Sequence, residues 1–171
     1  AVTAVAKLGS ISNARLYRLL NSDWSFGLPA DLSGSDEEDD TGFMIAQYAV
    51  ASRVMANQGL AGAAFSSLNV PTSAQQEDYI SNGANSAWAL RKSLGNLRSI
   101  LTVEILTGCQ AVDLGTKHLG SNTGLGYGTQ KGYDFVRQHV SMMHADRALY
   151  PDIQAIRRII ASGELAKAIQ N

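Results

Sequence analysis

Few side chains in this sequence are of a type and in a setting that could move protons or hold a charged ligand. The first is the carboxylate pair Glu77-Asp78, which closes the polar segment Pro71-Thr-Ser-Ala-Gln-Gln-Glu-Asp78. A carboxylate that is partly buried in an enclosed site has a raised, tunable pKa and can pair with a cationic amine or act as a general acid or base. Read from the residues alone, Glu77 is a solvent-facing group of a polar loop. The acidic run Asp36-Glu-Glu-Asp-Asp40 lacks the spaced ligands of a cation site and reads as a solvated loop. His118, His139 and His144 miss a common helical face, and there is no His-Glu-x-x-His pattern or second cysteine, so no metal is expected. Cys109 reads as a small buried hydrophobe, and no Ser or Cys has an evident base beside it.

The elements that must position these groups are helical. Val5, Leu8, Ile11, Leu16, Leu19 and Leu20 recur at mostly three- and four-residue spacing and predict a helix over 1–21. A turn-rich loop, 22–40, follows. Asp40 or Thr41 is placed to cap a second helix with Phe43, Ile45, Tyr48, Val50, Val54 and Met55 on its face, ending near Gly59. Residues 59–82 are glycine-rich and polar, with few apolar anchors, and read as irregular. From Asn85 to Lys117 the repeat Leu90, Leu94, Leu97, Leu101, Ile105, widened by Trp88, Ile100, Val103, Leu106 and Val112, predicts one helix about 45 Å long. Apolar residues on more than one face call for other helices around it. A glycine-rich loop, 118–132, leads to helices over Tyr133–His144 and Pro151–Ser162, the latter stopped by Gly163, with a short last turn over Glu164–Ile169. No stretch alternates as a half-buried strand does, so the fold class is all-α, a long-helix bundle.

Composition bounds the partners. The 171 residues are 45% hydrophobic, enough for one substantial core, so a single helical region over 1–171 is expected. A net charge of -1 gives no long-range attraction for nucleic acid or an anionic membrane. No apolar run approaches the roughly 20 residues of a membrane span, and a lone cysteine suits a reducing compartment, so a cytoplasmic location is expected.

Three ordered blocks, Gly42-Phe-Met-Ile-Ala-Gln47, Pro71-Thr-Ser-Ala-Gln-Gln-Glu-Asp78 and Gly108-Cys-Gln-Ala-Val-Asp-Leu114, resemble the C-terminal part of the aromatic amino acid ammonia-lyases, those of histidine type above all. Ala4–Ser12, Gly27-Leu-Pro29 and Asp146-Arg-Ala-Leu-Tyr-Pro-Asp-Ile153 extend the likeness over nearly the whole chain. The resemblance implies the helical fold of the fumarase/aspartase-like enzymes and a chain corresponding to the C-terminal third or so of a larger subunit. It implies elimination of ammonia from histidine, tyrosine or phenylalanine to give an α,β-unsaturated acid. The electrophile would be a 4-methylideneimidazol-5-one group formed by an Ala-Ser-Gly tripeptide in an N-terminal half that this chain does not contain. The partners implied are the amino acid substrate, that N-terminal half, and copies of the subunit in a homotetramer.

By the same resemblance Glu77 is the catalytic carboxylate of the site, Gln76 lines it, and Met44 faces the aromatic side of the substrate, a position that tends to be Lys in plant phenylalanine-type enzymes. Two departures leave the substrate open. Ala63-Ala-Phe-Ser-Ser-Leu-Asn69 replaces a pattern of the type H-P-A-S-x-D-S, and Tyr79 stands where a histidine follows the Glu-Asp pair. A 2,3-aminomutase of the same family and a non-catalytic helical scaffold remain the alternatives. Ala161-Ser162-Gly163 has the prosthetic tripeptide's composition but is expected only to end a helix.

Overall fold

The computed structural model describes residues 1–35, 39–63, 70–118 and 124–170; the departing stretch 64–69, most of the acidic run and the start of the glycine-rich connection lie outside them, as do the side chains of Gln75, Thr116, Lys117 and His118. Six α-helices follow in order: α1 Val2–Leu20, α2 Met44–Gly62, α3 Gly83–His118, α4 Tyr127–Arg137, α5 Tyr150–Ser162 and α6 Glu164–Gln170. Short 3₁₀ turns at Ala30–Leu32 and Ser73–Gln75 interrupt the first two connections. The described residues contain no strand, only an isolated bridge, so the all-α expectation holds. No helix among them is long and apolar enough to cross a membrane.

The α3 helix runs 36 residues, about 54 Å at 1.5 Å per residue, and is the axis on which α1, α2 and α5 pack. The start of α1, the end of α2 and the start of α3 line one cavity, so α2 runs antiparallel to the other two. Leu16 and Leu20 of α1, Val50 and Val54 of α2, and Ile100, Val103 and Leu106 of α3 fill the interior between them. Close approach depends on Gly9, where a Cβ would stand 3.1 Å from the Ile100 Cδ1.

Three readings of the sequence are corrected by this packing. The inward face of α1 is Val5, Gly9, Ser12, Leu16 and Leu20, while Leu8 and Ile11 point outward. On α2 the inward face is Ala46, Val50, Val54 and Asn57, with Ile45, Tyr48 and Met55 exposed. The largest apolar side chains mislead here, because small residues and a buried amide are what the tight α1–α2–α3 contact accepts. Asn57, fully buried, donates to the Ser93 carbonyl at 3.2 Å and accepts from the Asn96 side-chain amide at 2.9 Å, which answers its polarity. Ser12 and Arg15 of α1 both bond the Glu104 carboxylate of α3.

The third correction concerns 118–132. A helix starts at Tyr127, inside the expected loop, and ends at Arg137 instead of His144. Glycine costs about 1 kcal/mol in a helix relative to alanine, but here it permits contact: a Cβ at Gly132 would lie 3.3 Å from Ile169 of α6, and one at Gly128 3.6 Å. Residues 138–149 then leave the helix as a strap toward α5, whose Pro151 and Asp152 lie in its first turn. The backbone N–H and C=O of Met143 in this strap pair with Gln110 of α3, and Val140 and Met143 bury their side chains in the core, which draws the chain away from the path of α4.

Candidate functional site

The segment carrying Gln76 and Glu77 is a tight turn. Thr72 N–H donates to the Glu77 carbonyl at 3.1 Å and Glu77 N–H to the Thr72 carbonyl at 3.3 Å, closing a loop over residues 73–76. Ser73 and Ala74 at its tip have φ of +57° and +51°, a region that costs an L-residue about 1–2 kcal/mol. Gln76, in helical conformation, donates its N–H to Ser73 O at 3.1 Å and finishes the turn. Strained turns of this kind persist where the surroundings hold them, and they cluster at sites that bind or react. Both Gln76 and Glu77 are exposed in this chain, as is Tyr79 beside them. The enclosed setting that would tune the Glu77 carboxylate is therefore not built by the described residues themselves.

Met44 is the first residue of α2 and is half-buried. It follows Phe43, which is 1% exposed and sits in the core as expected. The expected capping of α2 by Asp40 or Thr41 does not occur: α2 has no side-chain cap. Thr41 instead turns its hydroxyl and its N–H to the carboxylate of Asp146, at 2.8 and 2.7 Å, and Gly42 N–H joins them at 2.9 Å. Asp146 N–H in turn donates to Asp40 at 3.0 Å. These bonds hold the Asp146 carboxyl below the usual carboxylate range, the Thr41 N–H contributing most. Gly42 has φ +57°, and a Cβ there would fall 2.4 Å from the Asp31 carbonyl, so the turn admits glycine alone.

The strap that carries Asp146 is itself fixed by Gln110. This fully buried amide donates to Met143 O at 2.7 Å and to Leu32 O at 3.4 Å, and accepts from Met143 N–H at 3.0 Å. Gly34 lies so close to the strap that a Cβ would stand 2.1 Å from Met143 O. Sequence reasoning missed both Asp146 and Gln110 as positioning groups. Their only signal was that each falls inside a block matching the family pattern.

A cavity of about 600 Å³ lies elsewhere, between α3, α4 and α6. Its lining is apolar and includes Cys109 and Tyr133, but not Met44, Gln76 or Glu77. Burial pushes the Cys109 thiol up to about 11, the opposite of an activated nucleophile. Beside it Asp113 bonds both the Tyr133 hydroxyl and the Arg137 guanidinium, tying α4 to α3. Among the described residues no group of three or more His, Cys, Asp and Glu could hold a metal ion.

Ala161-Ser162-Gly163 does not fit a cyclised electrophile. Ser162 ends α5 with its hydroxyl on Ile159 O at 3.3 Å, and Gly163 is a left-handed C-cap with φ 77° and N–H to Ile160 O. Ala161 and Ser162 are exposed, so nothing compresses this backbone toward ring closure.

Five further helices accompany the long α3 among the described residues, and a strained polar turn precedes it. The sequence pattern described as aromatic amino acid lyase matches residues 1–138, and the chain belongs to that family. It is 40% identical over 167 residues to a histidine ammonia-lyase of Deinococcus radiodurans, covering 98% of this chain and 30% of that protein. Among solved structures it superposes on histidine ammonia-lyase from Trypanosoma cruzi with a TM-score of 0.89 at 31% identity, over 99% of this chain and 32% of the other. Tyrosine aminomutase from Streptomyces globisporus gives a TM-score of 0.90 at 32% identity, over 99% and 31%. The chain thus spans a little under a third of the length of these relatives.

Proposed function

We propose that this chain is the C-terminal portion of a cytoplasmic lyase that eliminates ammonia from histidine, tyrosine or phenylalanine, leaving an α,β-unsaturated acid. The observation that carries the reading is the 40% identity, over 98% of this chain, to a protein named histidine ammonia-lyase. In this reading Glu77 supplies a carboxylate that pairs with the substrate's cationic group or handles its proton. Gln76, next to it on the strained turn, lines the site and hydrogen-bonds the substrate or Glu77. Met44 forms a thioether wall against the aromatic ring. The remainder of the subunit and further copies of it enclose the Glu77 turn, which stands exposed here. This chain's own Ala161-Ser162-Gly163 ends a helix and does not fit a cyclised electrophile, so in this reading the 4-methylideneimidazol-5-one group expected of the family would form in the N-terminal half of the subunit.

The test is an assay of the full-length protein containing this chain with histidine, tyrosine and phenylalanine, following the conjugated product by absorbance. Turnover of one of the three is expected, and inactivity on all three overturns the reading in favour of a non-catalytic scaffold. Glu77→Gln should lower turnover by about 10²-fold or more if the carboxylate is a general acid or base; unchanged kinetics would remove it from the site. A 2,3-aminomutase is the second reading, favoured by the likeness to the Streptomyces enzyme. It is distinguished by a β-amino acid product in place of released ammonia.

A further inference from the structure

The acidic residue at the middle of the strap has a part in this site that its position in the sequence does not suggest. Asp146 lies more than a hundred residues from Met44, yet its carboxylate takes three bonds from Thr41 and Gly42, the two residues before Phe43-Met44. The Met44 N–H returns to Thr41 O at 3.3 Å, and the Phe43 N–H is held by Asp31 O at 2.8 Å. The first turn of α2 is therefore suspended from this anchored segment. An anionic group at this end also suits the positive pole of the helix, which has no cap of its own. The anchor is stiff: Asp40 accepts from Asp146 N–H, Arg147 bonds Asp152 and the carbonyls of Ser141 and Met142, and Gln110 pins Met143 to the core.

We propose that Asp146 is a positioning residue for substrate binding, setting the location of the Met44 side chain by clamping the Thr41–Gly42 turn. The inference rests on the reading of Met44 as a wall of the ring pocket and adds to it the group that fixes this wall. It assigns Asp146 no contact with substrate. Loss of the clamp lets the start of α2 drift, so the ring meets a displaced thioether while the Glu77 turn, on a different connection, is untouched.

A double-mutant cycle on the full-length protein tests this, with Asp146→Ala, Met44→Ala and the pair, using whichever of L-histidine, L-tyrosine and L-phenylalanine the wild type turns over. The expected result is a KM raised about 10-fold by Asp146→Ala with kcat changed much less, as for loss of an interaction made equally in ground and transition states. In the Met44→Ala background the same substitution should change KM by less than about 2-fold, because contacting or serially linked residues are not additive. Asp146→Asn, which keeps one acceptor oxygen, should fall between wild type and Asp146→Ala, and its cycle decides by the same criterion if Asp146→Ala does not fold. Equal KM effects in both backgrounds, a fall in kcat without a change in KM, or no effect at all would overturn the positioning role alone. A silent Met44→Ala removes Met44 from the ring pocket and the inference with it, and a wild type inert on all three substrates overturns both together with the lyase reading.

Discussion

At the scale of single residues, environment separates groups that sequence alone treats alike. Cys109 within α3 and Asp146 in the strap both carry ionisable side chains, but burial raises the pKa of the first and N–H donors lower that of the second. For Cys109 the sign is clear: a pKa raised from 9.0 to about 11 means that the neutral thiol is favoured by folding. Its stabilising contribution is complete below pH 9 and is lost as pH rises through 11. Alkylation of the native chain by iodoacetamide at pH 7.5 should accordingly run about a hundredfold slower than for an unperturbed thiol, and keep accelerating up to pH 11. Labelling at the rate of a free thiol would show that the cavity between α3, α4 and α6 admits water freely. The burial of Cys109 and of Phe43 was legible in the sequence, because an apolar residue within a strong helical period has one natural place to go. Asp146 and Gln110 were not legible, since a polar clamp between segments far apart in the chain leaves no periodic trace.

At the scale of elements, sequence located α1, α3 and α5 within two residues at each end, and the break at Gly163 is the one expected. It failed on which face turns inward and on where α4 begins. Both failures have one cause: in tight helix contacts the small residues Gly9, Ala46, Gly128 and Gly132 do the packing, whereas hydrophobicity counting follows the large ones. The turn holding Glu77 was read correctly as irregular, but its paired positive φ values at Ser73 and Ala74 were invisible, neither residue being a glycine. The packing gives a sharp contrast within α3. Ile100, fully buried against α1, should cost about 2–5 kcal/mol when cut to alanine. Leu94→Ala, on a residue 47% exposed, should cost under about 1 kcal/mol in the isolated chain. Circular dichroism melts of the two variants measure the difference; equal shifts would mean that α3 is not seated as described.

At the scale of the whole molecule, the question is what covers the surfaces that α2 and α3 turn outward. Tyr48 and Met55 on α2 are 67% and 70% exposed, and Trp88 on α3 is 55% exposed. Soluble monomers rarely leave contiguous apolar patches beyond a few hundred Å² uncovered, and a helix of about 54 Å that packs inward along only part of its girth provides room for several. The exposed Glu77 turn belongs to the same account: a carboxylate proposed to work in an enclosed site needs walls that the described residues do not supply. The prediction is that the 171-residue chain, expressed by itself, is catalytically inactive and does not persist as a monomer. Size-exclusion chromatography with light scattering should find oligomers or aggregates, and co-expression with the rest of a family subunit should bring the chain into a defined assembly. A well-behaved monomer with cooperative unfolding would show that these apolar side chains tolerate water singly, and would leave the exposed turn without the partners that the proposed site requires.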